Sequence, residues 1–442
     1  MKSVVVLLLL HAVAFKGVKG HNWFQEYEEA VKHLSEVDLR REYPEKIRPQ
    51  TFKHPPFKCP DMSPSPTVPT SVEFVKAADI KVIAALGDSL TTAIGANGST
   101  LLGIPIEYRH VSWSIGGHGT YQDVITLANI VKLFNPDVLF PAPKWTLNDH
   151  PVTVNDTGFN LAVTGHNTLN ISEQTRHMID TFKTFPGLDF EEDWKLVTVL
   201  IGMNDICDYC KNKTLFSADN FISYLTESLE MMMNEVPRLI VNVVQILQMR
   251  TLREVSMPTL ACVLQKYVPL HTRQFRNCAR SLARSFIHTP PRAESSAPAW
   301  CCRMRTPQNW RNLRLEELIR SGRFVKDDFA VLLQPYLTHA QPPRLPDGEV
   351  DTSYFTPDCF HFTVKGHEEL AKGLWNNMFQ PEGQKEMITS FSEPVKLICP
   401  SEEHPYIYVK SASCTVPAGR ALWTIVAVSN VLRLISDRHA AE

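Results

Sequence analysis

Features that would indicate several common protein classes are missing from this chain of 442 residues. Its 45 basic residues are balanced by 47 acidic ones, so no excess of positive charge is available to attract a nucleic acid. No apolar run reaches the roughly 20 residues that a membrane-spanning helix needs. No P-loop and no dinucleotide-binding fingerprint occurs. The sequence therefore gives no reason to expect a nucleic-acid partner, a spanning helix or a nucleotide cofactor.

Two signatures of hydrolytic enzymes are missing as well. There is no Gly-x-Ser-x-Gly, the corner at which α/β-hydrolases present their serine. The stretch His367-Glu368-Glu369 lacks the second histidine that would complete a zinc-binding helix. We therefore predict that the chain uses no metal and no cofactor.

The N-terminus has the pattern of a secretory signal. Lys2 is followed by the run VVVLLLLHAVAF, which is too short to span a membrane. We predict a signal peptide over residues 1–20, with cleavage between Lys16 and His21. The mature protein is then expected to be secreted or to stay at the cell-surface membrane, and the sequence leaves both places open.

Ten cysteines fit such an oxidising compartment, in which disulfides persist. Cys59 lies in a proline-rich stretch that it would hold in place. The spacing of Cys207 and Cys210 also occurs in redox and zinc motifs, but no second pair follows at zinc spacing, so we predict a structural disulfide. The chain also contains four acceptor sequences for N-glycans, which must face solvent when they are used. They begin at Asn97, Asn155, Asn170 and Asn212.

Composition divides the rest of the chain into three segments. Residues 21–70 are polar and proline-rich, and we expect a linker or an extended strap there. Residues 71–390 carry the pattern of one large domain, in which 251–320 is an arginine- and proline-rich surface insertion. Residues 391–442 form a C-terminal tail with a short apolar stretch at 421–435. That stretch is either a peripheral membrane-contact helix or a packed terminal helix.

Apolar runs alternate with helical patterns through the large domain. The runs are apolar on both faces, as in the strands of a buried parallel sheet. The alternation places helices on both faces of that sheet. The sequence therefore predicts an α/β fold, a three-layer α/β/α sandwich around a central, mostly parallel sheet. The predicted strands are 81–86, 195–202, 238–247 and 328–336, and the predicted helices between them are 120–134, 172–182 and 219–236.

The first predicted strand ends at a corner that bears a serine. In VIAALGDSLTTAIGA, which covers residues 82–96, Ser89 follows the strand directly and begins a helix. Sites in open α/β sheets form beyond the carboxyl ends of the strands. Ser89 could therefore offer its hydroxyl as a nucleophile and its backbone N–H to a developing negative charge. A serine that merely caps the helix is the alternative.

A nucleophilic serine needs a base, and an Asp-x-x-His pair far along the chain is a candidate. Asp358 and His361 lie just before a stretch with the pattern of an amphipathic helix. At this spacing a carboxylate can accept a hydrogen bond from the ring, which fixes the tautomer and leaves the other nitrogen for the serine. Such pairs also occur often by chance.

Two further strand ends carry candidate donors for an oxyanion. In NLAVTGH, Gly165 can expose its backbone N–H because no side chain obstructs a close approach. In IGMND, which follows the second predicted strand, Asn204 can donate its side-chain amide. Each stretch taken alone is more often an ordinary turn.

Together and in this order, the four motifs resemble those of the GDSL or SGNH hydrolase superfamily. The resemblance implies a serine ester hydrolase that works through an acyl-enzyme intermediate. It implies Ser89 as nucleophile, His361 as base, and Gly165, Asn204 and the Ser89 N–H as oxyanion donors. Asp358 would position His361; Asp205 is a rival for that role, and spacing favours Asp358.

Longer stretches are similar to the repeat unit of membrane-associated phospholipase B. They lie within residues 70–400 and include AADIKVIAALGDSLTTAIGA, EDWKLVTVLIGMNDICDYC and PDCFHFTVKGHEELAKGLWNNM. The similarity implies a single such unit whose substrates are phospholipids and lysophospholipids taken from a membrane surface. Two alternatives stay open, a secreted carboxylesterase for small soluble esters and a secreted binding protein without catalysis. The sequence does not indicate an oligomeric state.

Overall fold

A computed structural model describes residues 53–409 apart from 101–102, 210, 249–250, 258, 260–261 and 263–306. The predicted signal peptide, Cys210 and the apolar stretch at 421–435 therefore lie outside the described residues. Within the part that the structure describes, no helix is both long and apolar enough to cross a membrane.

The strands of the described chain form two sheets. Their bounds are β1 (Ile80–Gly87), β2 (Ile106–Glu107), β3 (Thr146–Leu147), β4 (Trp194–Leu200), β5 (Leu239–Val244), β6 (Val325–Lys326) and β7 (Phe329–Gln334). The main sheet has the strand order β1-β4-β5-β7-β6, and β2 and β3 form a separate antiparallel pair. β1, β4, β5 and β7 pair in parallel, and only β6 runs antiparallel to its neighbour β7.

The long strands have no exposed face. Every residue of β4, β5 and β7 is buried, and in β1 only one is partly exposed. Strands that are apolar on both faces need a helix layer on each side of the sheet, because neither face can meet water. The predicted α/β sandwich around a mostly parallel sheet is confirmed.

The helices form the two outer layers. Their bounds are α1 (Ser89–Thr92), α2 (Leu127–Phe134), α3 (Val154–Thr157), α4 (Ile171–Thr184), α5 (Met203–Asp208), α6 (Ala218–Glu235), α7 (Pro307–Arg320) and α8 (Val364–Met378). In one layer α6 packs between α4 and α7, and in the other α2 packs on α8. The predicted helices at 172–182 and 219–236 agree with α4 and α6 to within two residues.

The predicted helix at 120–134 is wrong in its first half, because α2 begins only at Leu127. The carboxylate of Asp123 accepts bonds from the backbone N–H and the hydroxyl of Thr120, at 2.9 and 2.7 Å. Such local bonds offer the backbone an alternative to a helix. Thr126 then caps α2, since its hydroxyl accepts the N–H of Asn129 at 3.0 Å.

The helix expected to be amphipathic, α8, is buried nearly all round, and Lys365 is its only exposed residue. The proline-rich segment before β1 covers part of it. Phe57 packs edge-on against Trp375 with ring centroids 6.4 Å apart. His54 lies 2.7 Å from the carboxylate of Glu368. A pattern with polar residues on one face therefore did not indicate solvent, because those residues bond to the covering chain.

The segment after α8 covers the helix as well. The indole N–H of Trp375 donates to the carbonyl of Ile398 at 2.8 Å, and the N–H of Val395 donates to a carboxylate of α8 at 2.7 Å. A disulfide joins Cys59 to Cys399. The two segments that flank the domain in sequence are therefore cross-linked to each other over α8.

The predicted insertion at 251–320 is described only at its two ends. Leu252 and Val255 are buried in the main core, and α7 packs against α6. Residues 263–306 lie outside the described residues. The composition suggested a solvated surface loop. The described ends of the segment belong instead to the packed domain.

A buried lysine holds together the starts of β4 and β5. Lys195 is fully buried, and burial lowers its pKa to about 8, so the ammonium stays protonated at neutral pH. Its Nζ donates to the carbonyls of Phe190, Asp193 and Pro237 at 2.6, 2.7 and 3.0 Å. The three donors of the ammonium thus match three carbonyl acceptors.

Replacing this lysine is expected to destabilise the fold. In Lys195→Met the apolar stem keeps its volume, but three carbonyls lose their donor, and we expect a loss of about 3 kcal/mol in the free energy of unfolding. Lys183→Met is the control, since Lys183 is half-exposed and pairs with Glu235 on the surface; its effect should stay below about 1 kcal/mol. Urea denaturation measures both, and equal losses would contradict the prediction.

Candidate active site

Ser89 lies at a sharp corner between β1 and α1. β1 ends at Gly87, which has a φ of +154°. A β-carbon there would lie 2.4 Å from the carbonyl oxygen of Leu200, so only glycine fits. The glycine lets the corner turn directly beside the carboxyl end of β4.

Asp88 caps the short helix that follows. Its Oδ1 accepts the backbone N–H of Leu90 at 3.0 Å. Ser89 is the first helical residue, where a backbone N–H has no partner within the helix. Because Asp88 supplies the cap, the alternative reading of Ser89 as the capping residue does not hold.

His361 reaches Ser89 from the loop that precedes α8. Its Nε2 lies 2.9 Å from Ser89 Oγ. Its Nδ1 lies 2.6 Å from Oδ2 of Asp358. Carboxylate, imidazole and hydroxyl thus form one hydrogen-bonded row, which can move a proton from the serine to the ring.

The carboxylate of Asp358 is fully engaged by its own loop. Its Oδ1 accepts the hydroxyl of Thr356 at 2.6 Å and the backbone N–H groups of Phe360 and His361 at 2.9 and 3.0 Å. Burial alone would raise its pKa, but the charge and hydrogen bonds of His361 and the Thr356 bond outweigh burial and lower the pKa to about 2. Asp358 therefore stays ionised and fixed in orientation.

Two of the three candidate oxyanion donors, Gly165 and Asn204, come from chain segments that contact each other. The N–H of Val163 donates to the carbonyl of Gly87 at 3.2 Å, which places Gly165 just beyond the corner. The side-chain amide of Asn204 donates to the carbonyl of His166 at 2.8 Å. An asparagine amide has two N–H bonds, so one remains for an oxyanion.

A buried polar network that the motifs did not reveal joins the corner to the oxyanion segment. The hydroxyl of Thr164 donates to Oε1 of Glu107 at 2.6 Å and lies 2.8 Å from the hydroxyl of Thr92. Arg109 pairs with Glu107 at 2.7 Å and donates to the carbonyl of Ala162 at 2.9 Å. The one sequence signal for this pair is that an acidic and a basic residue lie two positions apart, at Glu107 and Arg109. Its partners lie far away in sequence.

Asp205 bonds a residue of the oxyanion segment and not the histidine in the described contacts. Its carboxylate accepts the backbone N–H of Thr168 at 3.0 Å and also bonds the Thr168 hydroxyl. Burial raises its pKa, against the opposing effect of these bonds and of the Arg311 charge. The imidazole of His361 contacts Asp358, so the geometry favours Asp358 over its rival as the orienting carboxylate.

The predicted glycan acceptors are all accessible to some degree. Asn155 and Asn212 are exposed, and Asn97 and Asn170 are partly exposed. Glycosylation at each stays a prediction.

The row of serine, imidazole and carboxylate is the arrangement of serine hydrolases. The model of the family described as "GDSL-like Lipase/Acylhydrolase" matches residues 83–374, and the chain belongs to this family. The superfamily predicted from the four motifs is therefore confirmed.

Curated relatives are similar to most of this chain. "Phospholipase B1, membrane-associated" of Mus musculus is 36% identical over 373 residues, which are 84% of this chain and 24% of that protein. The protein of the same name from Homo sapiens is 34% identical over 368 residues, 82% of this chain and 23% of that protein. The chain thus spans about a quarter of the length of these relatives, as expected for one repeat unit.

Asp88 differs from Asp358 in that one of its oxygens has no partner. Among the described residues nothing bonds to Oδ2 of Asp88. Burial raises its pKa to about 7, aided by the nearby Asp205 and opposed by the Leu90 bond and the His361 charge. The folded protein therefore keeps a proton on Asp88 at pH values at which an unfolded chain has released it.

This proton makes stability depend on pH. Because the pKa of Asp88 rises from 3.8 to about 7 on folding, the free energy of unfolding falls as the pH rises through this interval. Asp88→Asn keeps an oxygen for the Leu90 N–H and removes the ionisation. Relative to wild type, the variant should gain on the order of 4 kcal/mol between about pH 4 and pH 8.

Urea denaturation at a series of pH values measures this difference. Asp137→Asn is the matched control, because Asp137 is exposed. If the difference in the free energy of unfolding between Asp88→Asn and wild type stayed constant with pH, folding would not raise the pKa of Asp88, and the prediction would be wrong.

Proposed function

We propose that this protein is a serine ester hydrolase that cleaves the acyl ester bonds of phospholipids and lysophospholipids. The observation that carries the proposal is the distance of 2.9 Å between Ser89 Oγ and His361 Nε2, with Asp358 behind the ring. Membership of the lipase/acylhydrolase family supports the reaction class. The names of the relatives support the substrate class.

The first half of the reaction forms an acyl-enzyme. Ser89 Oγ attacks the ester carbonyl while His361 Nε2 takes the hydroxyl proton. Asp358, ionised and held by its loop, stabilises the imidazolium that forms. His361 then gives the proton to the departing alcohol, which is the lysolipid or glycerol part of the substrate.

The tetrahedral intermediate carries a negative charge that needs donors. The backbone N–H groups of Ser89 and Gly165 and the free amide N–H of Asn204 are our candidates. Each such donor contributes about 3–4 kcal/mol to the barrier reduction in comparable sites. The bond from Asn204 to the His166 carbonyl fixes the amide before substrate arrives, so no reorganisation is needed.

The second half releases the fatty acid. Water takes the place of the alcohol, His361 removes its proton, and the hydroxide attacks the acyl-enzyme in the same oxyanion site. The serine hydroxyl is restored when the ring returns the proton. This sequence of steps uses no metal ion and no cofactor.

Exposed apolar side chains beside the oxyanion segment favour a lipid over a small soluble ester. Val163 and Leu169 are 39% and 38% exposed, and they flank Gly165 on both sides in sequence. Side chains of this kind can contact the acyl chains of a lipid, and both lie within six residues of Gly165 in sequence. We propose that substrate is taken from a membrane or another lipid aggregate.

The proposed place of action is outside the cell or at its surface. The disulfides Cys59–Cys399 and Cys262–Cys359 support an oxidising compartment. We propose the same domains as the sequence predicts: a signal peptide at 1–20, a catalytic domain at 71–390 and a tail at 391–442.

The nucleophile and the substrate class are tested together. Wild-type protein with dispersed long-chain phosphatidylcholine should release lysolipid and fatty acid, and Ser89→Ala should lower the rate by about 10⁴-fold or more. Turnover of the long-chain lipid should exceed that of a soluble acetate ester. Preference for the acetate would support the small-ester alternative, and equal rates for wild type and Ser89→Ala would remove the serine from the mechanism.

The choice between the two carboxylates is tested by a matched pair. Asp358→Asn keeps the shape of the side chain but favours the wrong ring tautomer, so kcat should fall by about 10⁴-fold. Asp205→Asn should lower thermal stability and leave kcat within about tenfold of wild type, because Asp205 bonds Thr168 instead. Hydrolysis of a p-nitrophenyl ester gives both values. The opposite ranking would assign the role to Asp205.

A further inference from the structure

The loop that carries the acid and the base is bonded to a distant segment between β5 and α7. Cys359 lies between Asp358 and His361 in sequence and forms a disulfide with Cys262. The hydroxyl of Thr259 bonds the carbonyl of Pro357, the residue before Asp358. Two cross-links therefore meet the five-residue stretch from Pro357 to His361, which holds both proposed catalytic side chains.

The far side of these cross-links is itself anchored. Cys262 is 1% exposed, and its backbone N–H donates to the Thr259 hydroxyl at 3.2 Å. Leu252 and Val255, a few residues earlier, are buried in the main core. The disulfide thus connects the loop to packed structure.

The loop gains from such support because residues 355–363 lie outside the named helices and strands and are paired by an isolated antiparallel bridge, Phe355 with Phe362. Cys359 has a φ of +63°, in the left-handed region that residues other than glycine adopt only when their surroundings impose it. The Cys359 N–H donates to the Thr356 carbonyl at 2.9 Å, and the Thr356 N–H donates to the His361 carbonyl at 2.9 Å. These bonds fix the shape of the loop. Its end is tied to the chain just beyond α1, because the Val364 N–H donates to the Ala96 carbonyl at 3.2 Å. Cys262 and Thr259 add cross-links next to Asp358 and His361 themselves.

We propose that Cys262, Cys359 and Thr259 are positioning residues of the active site, whose cross-links keep the His361 ring within proton-transfer reach of Ser89. The inference rests on the proposed ester hydrolysis. A displacement of about 1 Å in a catalytic group can lower a rate by about 10²-fold, so a loop with greater freedom should turn over more slowly while binding substrate equally well.

The other described disulfide provides the control for a purely stabilising role. Cys59–Cys399 closes a loop of 340 residues, whereas Cys262–Cys359 closes one of 97. A longer closed loop restricts the unfolded chain more, so loss of Cys59–Cys399 should lower thermal stability at least as much. It joins the two segments over α8 and lies outside the loop with Asp358 and His361.

The test compares two double variants of the full chain, Cys262→Ala/Cys359→Ala and Cys59→Ala/Cys399→Ala, well below the melting temperature of each. For the first we expect kcat for a soluble p-nitrophenyl ester to fall by about tenfold or more, with KM changed less than about twofold. For the control we expect kcat within about twofold of wild type. Undiminished kcat in the first variant, or equal losses in both, overturns the proposal.

A single substitution covers the case in which the first double variant does not fold. Thr259→Val keeps the shape of the side chain and removes the hydroxyl that bonds Pro357, so kcat should fall about threefold or more at unchanged KM. A wild-type kcat for Thr259→Val would then overturn the proposal by itself.

Failure of the proposed function would look different. If the wild-type protein hydrolyses none of the esters, the rate at which a fluorophosphonate labels Ser89 replaces kcat in the same comparison. Slower labelling of Cys262→Ala/Cys359→Ala than of the control supports the positioning role even then, and equal labelling rates contradict it.

Discussion

A single hydrogen bond of 2.9 Å joins Ser89 to His361 across 272 residues of sequence. Its two ends are held very differently. Ser89 follows a buried strand of a parallel sheet, at a corner where Gly87 touches the neighbouring strand, so its position is set by packing. His361 stands on an irregular loop. The contact between the serine and the imidazole depends on that loop returning to the carboxyl end of β1.

Three buried aspartates near this corner show how the surroundings give identical side chains different pKa values. Both carboxylate oxygens of Asp358 have hydrogen-bond partners, and its pKa is lowered to about 2. Asp88 has one oxygen without a partner and a pKa raised to about 7, and that of Asp205 is raised as well. Burial acts to raise the pKa of all three, and only at Asp358 do the charge and hydrogen bonds of His361, with the Thr356 bond, outweigh it. Only Asp358 combines a permanent charge with contact to the imidazole, which is what an orienting carboxylate needs.

The sequence predicted what local patterns can encode. Apolar runs on both faces identified the buried strands, and two of the four short motifs contain Ser89, Asp358 and His361, which hydrogen bonds join in the structure. Contacts between distant segments were beyond it. The Glu107–Arg109 pair bonds residues more than 30 positions away, and the polar face of α8 bonds covering chain instead of water. Neither follows from spacing in the sequence. Periodicity predicts which side of a helix or strand a residue lies on, but it does not identify the segment that packs against that side.

The two described disulfides lie at the places where the sheet gives least support. One joins the two flanking segments over α8, the helix that begins directly after the loop of Asp358 and His361. The other reaches into that loop, between Asp358 and His361. A parallel sheet fixes whatever follows its strands directly, as it does for Ser89 and Asn204, but β7 ends at Gln334, well before His361. An imidazole so far from its strand must be held by other bonds, and in the described chain these include the turn closed by the Asp358 carboxylate, the bond of Val364 to Ala96 and the Cys262–Cys359 disulfide.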